Sequence, residues 1–204
     1  YSGRVGEVQD SSGNGNDGVR VGASASSVAG GYVCRGLSIA AEYTLSSHAV
    51  DTALDVSSGI GNSGAVSFWY KSNSNWNSGM ATLLDASTAS ARPFFLTRQG
   101  NGGLRFSVSD SAGTVLSAVT GALNYSSASW RHVAVTWRLA AGAGQSSVRI
   151  YIGGLQVAAA SGTTNGIIDP GLGTLFIGDN RSGATPTNSS TNSANGLIDE
   201  MRVY

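Results

Sequence analysis

Lysine is almost missing from this chain: Lys71 stands alone beside eleven arginines. Charge as a whole is sparse, with 12% of residues ionic against roughly 25% in ordinary soluble proteins. Twelve cations meet twelve anions, so no excess of one sign recommends nucleic acid or an anionic membrane as partner. Cysteine occurs once, at Cys34, which excludes an internal disulfide and a thiolate metal cluster. Two readings of Cys34 stand: a small buried hydrophobe, or one half of a bridge to a segment outside these 204 residues. No run of about 18 apolar residues is present, and no leader or lipid box, so membrane insertion is not expected. Helical periodicity is missing too. Its best candidate, Ala112 to Leu123, holds two glycines and several β-branched residues.

What is abundant is glycine, 29 residues, among many Ser, Thr, Asn and Ala. A hydrophobic fraction of 41% and four tryptophans argue against a disordered linker of that composition. Short alternating runs recur: Val66–Tyr70, Leu104–Val108, Val133–Trp137, Val148–Ile152, Leu175–Gly178 and Leu197–Tyr204. After Gly153-Gly154, Leu155–Ala158 reads as the returning arm of a hairpin. Turn-rich joints separate these runs, at Ser57–Gly59, Gly100–Gly103, Ala141–Gly144 and Ser161-Gly162. Arg181 to Ala194 reads as one long exposed loop. Many short strands at close spacing, with no fixed-period repeat, indicate an all-β, two-sheet antiparallel sandwich or jelly roll. Residues 1–204 read as a single domain of a longer, exported protein.

In the last run, strict alternation places Leu197, Asp199, Met201 and Val203 on one face. Asp199 then shares a face with apolar side chains and needs a partner there. Near the start, Asp10-Ser11-Ser12-Gly13-Asn14-Gly15-Asn16-Asp17-Gly18 crowds oxygen-bearing side chains between glycines. Calcium takes six to eight such oxygens, but an EF-hand needs Glu at the twelfth position, here Val21, so that pattern fails. The same residues also serve as ordinary Asx turns.

Three stretches in order resemble the LamG-like, concanavalin A-like jelly-roll family. They are the Asp10–Gly18 turn, the hairpin Trp130-Arg131-His132-Val133-Ala134-Val135-Thr136-Trp137 with Val148–Gly154, and the closing Gly178-Asp179, Gly196–Glu200 and Met201–Tyr204. The resemblance implies a jelly-roll module and an extracellular or cell-surface place. It also implies a structural calcium ion shared by the opening turn and closing strand, with Asp17, Asp199 and Asp10 as ligands. The alternative remains that Asp199 accepts hydrogen bonds from the opening loop without metal. A narrower likeness, through Tyr32–Ile39, Gly64–Tyr70, Trp76–Gly79 and Leu83–Ser87, is to the LamG segment of MSHA-pilus biogenesis proteins of the MshQ type. It implies a bacterial envelope setting.

Catalysis finds little to stand on. The glutamates are three, Glu7, Glu42 and Glu200, and no acidic cluster marks one strand. Asp199 and Glu200 leave opposite faces and cannot form the carboxyl pair of a glycosidase, which needs a separation of about 5–9.5 Å. Asp85, Asp110 and Asp179 are the remaining carboxylates for such a role. His132 lies in a strand pattern, and His48 beside serines has no triad signature. Sugar binding is better served. Asn73-Ser74-Asn75-Trp76-Asn77 offers an aromatic ring among amides, with Asp179 and Asn180 as second candidates. If Trp76 instead folds back over the sandwich edge, a structural or adhesive spacer is favoured. Trp69, Trp130 and Trp137 are expected in or near the core. The expected partners are a glycan or surface protein and the other domains of the parent chain.

Overall fold

The structure, a computed structural model, describes residues 7–9, 11–22, 25–33, 35–41, 49–88, 92–127, 129–180 and 192–204. Among the described residues fifteen strands follow one another: β1 (Glu7–Val8), β2 (Gly18–Val21), β3 (Ala25–Ala29), β4 (Arg35–Ile39), β5 (Ala49–Asp55), β6 (Ser63–Ser72), β7 (Ala81–Asp85) and β8 (Phe94–Arg98). Then come β9 (Leu104–Ser109), β10 (Val115–Val119), β11 (Arg131–Arg138), β12 (Ser146–Ile152), β13 (Leu155–Gly162), β14 (Thr174–Ile177) and β15 (Gly196–Val203). They form an eight-stranded sheet, ordered β1-β2-β5-β14-β7-β8-β9-β10, and a seven-stranded sheet, ordered β13-β12-β11-β6-β15-β4-β3. Every strand pairing is antiparallel, and the whole is a jelly-roll sandwich. Among the described residues no helix is long and apolar enough to cross a membrane.

Alternation in the sequence becomes alternation in space. Along β6, Val66, Phe68 and Tyr70 are buried, while Ser67, Trp69 and Lys71 turn to the outer face. β11 behaves alike, with Val133, Val135 and Trp137 inward. Trp137 meets Phe94 of the opposite sheet edge-on, with ring centroids 5.1 Å apart. Its indole N–H donates to the Gly61 carbonyl at 3.0 Å, so the polar end of the ring is also satisfied. The β12–β13 hairpin turns through Gly153 and Gly154, whose φ values of 58° and 83° are those of a type I′ turn.

Three expectations change on contact with the structure. Trp69, expected in or near the core, turns to the outer face; Ala112–Leu123, passed over as a helix, holds strand β10 as that reading requires. The tail of the supposed exposed loop is buried: Ser193 and Ala194 are covered, and Ala194 N–H donates to Gly178. Its residues 181–191 lie outside the described residues, as do Cys34, Glu42, His48 and Asp10. The third change concerns β15. Its register against β6 slips between Asp199 and Arg202, and Glu200 takes a φ of 49°. One extra residue in a strand moves every later side chain to the other face. Ahead of the bulge Ile198 points inward and Asp199 outward beside Trp69; past it, Met201 and Val203 pack on the core as well.

Candidate functional site

The outer face of the seven-stranded sheet carries the aromatic side chains that the core does not take. Asp199, Trp69 and His132 are direct cross-strand neighbours on β15, β6 and β11. His132 packs edge-on to Trp69, with centroids 5.3 Å apart. The turn between β3 and β4 folds down over this row. Tyr32 lies flat on Trp69, centroids 3.5 Å apart and planes 12° from parallel, and meets Trp130 edge-on at 6.0 Å. Tyr32 keeps 47% of its surface exposed, whereas Trp69, Trp130 and His132 are half-buried.

Glycine and a carboxylate make this turn possible. Gly30 has φ of 87°, a left-handed conformation. Gly31 presses so closely on the sheet that a Cβ there would lie 2.6 Å from the Gly36 nitrogen and 2.7 Å from Asp199 Oδ2. Asp199 Oδ2 accepts the Val33 N–H at 3.0 Å, and its Oδ1 accepts the Glu200 N–H at 2.9 Å. The Asp199 side chain thus clamps the turn that places Tyr32. Lys71, two residues beyond Trp69 on the same face, sits opposite Leu197. Asn73 follows at the strand end, exposed, with its amide donating to Asn195 Oδ1 at 3.2 Å. The result is an open aromatic platform rimmed by a lysine, an imidazole, a carboxylate and amides.

The residues expected to bind sugar are placed differently. Trp76 has no exposed surface: its ring packs between Tyr70, at 5.8 Å, and Tyr125, at 5.1 Å. A one-turn 3-10 segment, Trp76–Ser78, folds the indole inward because apolar area gains more from burial than from solvent. Trp76 is therefore the anchor of its loop and offers no face to a ligand. Asn75 and Asn77 remain exposed, and Asn75 Oδ1 accepts the Ser127 N–H at 3.2 Å. Asp179 and Asn180 are fully buried; Asp179 accepts the Asn180 N–H, and Asn180 Oδ1 accepts the Thr82 hydroxyl.

Among the described residues no three His, Cys, Asp or Glu side chains converge; Asp10 of the expected calcium set lies outside those residues. Asp17 is exposed at the entry to β2, while Asp199 serves the β3–β4 turn. The opening turn and the closing strand do face one another, across a cleft of about 750 Å³. Its walls are Ser12, Asn14 and Asn16 on one side and Met201 to Tyr204 on the other, and Asp199 is not among them. The three carboxylates considered for hydrolysis are buried. Asp110 accepts N–H bonds from Ala112, Thr114 and Asn165, and Asp85 accepts one from Ser87. These are turn-holding roles.

Solved structures of similar architecture include the binding domain of Paraclostridial Mosquitocidal Protein 1 (TM-score 0.65, 16% identity), which matches 96% of this chain and 45% of its own. The chain thus spans less than half of that domain's length. The CBM40 of a Ruminococcus gnavus IT-sialidase, bound to alpha2,3 sialyllactose, aligns at TM-score 0.56 and 18% identity over 83% of this chain and 89% of its own. Domain 4 of AbnA, an extracellular GH43 arabinanase from Geobacillus stearothermophilus in complex with arabinotriose, aligns at 0.54 and 19% identity over 96% and 85%. At these identities the likeness is one of fold. No curated protein sequence matches the chain. A family model, Laminin_G_3, matches residues 46–204, and on that match the chain belongs to the concanavalin A-like lectin/glucanases superfamily.

Proposed function

We propose that this chain is a non-catalytic, extracellular carbohydrate-binding module whose ligand platform is the outer face around Tyr32. The observation that carries the reading is the Tyr32 ring, held flat on Trp69 and open to solvent on its other side. A sugar ring stacks its C–H face on such an aromatic, and neighbouring polar groups fix its hydroxyls. Here Asn73, Lys71 and His132 supply those groups. The Asp199 clamp holds the platform in place before any ligand arrives, which lowers the ordering cost of binding. Fold relatives that carry sialyllactose and arabinotriose support a glycan as partner. The bacterial envelope setting rests on the MshQ-type resemblance alone.

Burial of Trp76 favours a second reading at the 73–79 loop, a structural or adhesive spacer that binds no small ligand. An immobilised glycan panel that includes sialyllactose and arabinotriose separates the two. Retention of the native chain and loss of retention in Tyr32→Ala is the expected result. A panel silent for native protein leaves the spacer reading in place.

A further inference from the structure

Arg98 is 2% exposed, and a guanidinium cannot shed its proton to escape burial. It rises from β8 and crosses the sandwich, where its Nη1 donates to Ser72 Oγ at 2.9 Å and to the Asn75 carbonyl at 3.2 Å. No carboxylate lies within ion-pair distance of it among the described residues. The adjacent phenol cannot serve as counter-ion: burial raises the Tyr70 pKa, and the pull of Arg98 downward is the smaller effect. Tyr70 instead donates its O–H to the Ala194 carbonyl.

A second cation lies next to it. Arg131 is the direct cross-strand neighbour of Tyr70. Its guanidinium sits 4.1 Å from the centroid of Tyr125, the ring that meets Trp76 edge-on. Three buried N–H donors around Tyr70 and Tyr125 lack a hydrogen-bond acceptor: Arg98 Nε, Arg131 Nε and Trp76 Nε1. Unmet buried donors are rare in folded proteins and point to a bound species that supplies the acceptor. The buried charge of Arg98 asks that species to be negative, since a buried charge without a partner is strongly disfavoured, and Arg131 adds a second positive charge beside it.

We propose that this end of the sandwich, beneath the Asn73–Gly79 loop, binds a single chloride-sized anion. A monatomic halide suits a site this enclosed, because it accepts several N–H donors without a preferred direction. The anion neutralises Arg98 and pins the loop that carries Asn73, Asn75 and Asn77. It does not depend on the sugar-binding reading.

Two measurements on the whole chain test it. In melts at constant ionic strength, replacing gluconate by chloride raises Tm by about 3–6 °C at tenfold excess over the dissociation constant. That rise shrinks in Arg131→Gln, a half-buried position that the fold tolerates better than a change at Arg98. Crystals grown in bromide then show an anomalous peak within hydrogen-bond distance of Arg98 Nε. Absence of that peak, with water in its place, overturns the proposal whatever the melts show.

Discussion

Asp199 and Val33, far apart in sequence, meet through a 3.0 Å hydrogen bond from the Val33 N–H to the Asp199 carboxylate. Through this contact the closing strand decides where Tyr32 lies. The bulge at Glu200 lets Asp199 face outward for this task while Met201 and Val203 still reach the core. Without it, strict alternation would continue, and the later residues Met201 and Val203 would leave the core.

Removal of this clamp has a defined consequence. Asp199→Ala loses two hydrogen bonds to a charged acceptor and lowers stability by about 1–3 kcal/mol, read as a fall in Tm. The loss is the same in chelator and in calcium, because the carboxylate acts on the turn. A loss confined to calcium-containing buffer would assign the carboxylate to a metal instead.

Tyr32→Ala is predicted to separate binding from folding. Its ring is half open, so its removal costs about 0.5–1.5 kcal/mol of stability through the Trp69 stack. Glycan affinity falls at least about tenfold, measured by isothermal titration with whichever panel sugar is retained.

Trp76→Ala shows the opposite pattern. Deleting a fully buried tryptophan costs about 3–5 kcal/mol, seen as a lower urea midpoint. Variants that stay folded keep the order of glycan preference.

Asp55 supplies a pH signature. Burial pushes its pKa up, but the Ser58 N–H and the Ser57 and Ser58 hydroxyls outweigh this, and the carboxyl sits below the ordinary value of 3.8. A lowered folded pKa means that the stabilisation is present above the unfolded value and is lost as pH falls through the folded one. The Tm difference between native protein and Asp55→Asn is therefore full at pH 7 and shrinks below about pH 4. A difference that grows on acidification contradicts this role.

How much of this the sequence disclosed depends on which faces a strand buries. β6, β11 and β12 bury one face, so Phe68-Trp69-Tyr70 and Val133–Trp137 announce themselves by alternation. β7 and β8 are buried on both faces and show no such period. β3, Ala-Ser-Ser-Val-Ala, has too little apolar content to register. The aromatic site was hidden for a different reason. Trp76 stands out in a polar loop, yet its ring folds inward, while Tyr32 sits in a Gly30-Gly31-Tyr32 turn with no periodic pattern around it. Those paired glycines were the available signal, since only a residue without Cβ lets the turn lie on the sheet beside Asp199. No periodicity reports a bulge at Glu200.

Four tryptophans give four indole N–H resonances, and their response to sugar tests the central claim directly. On titration with sialyllactose or arabinotriose, whichever is retained, the Trp69 and Trp130 signals shift. Those of Trp76 and Trp137, buried in the sandwich, stay in place. Shifts confined to Trp76, or none at the Tyr32 face while sugar binds, would move the ligand elsewhere and contradict the account.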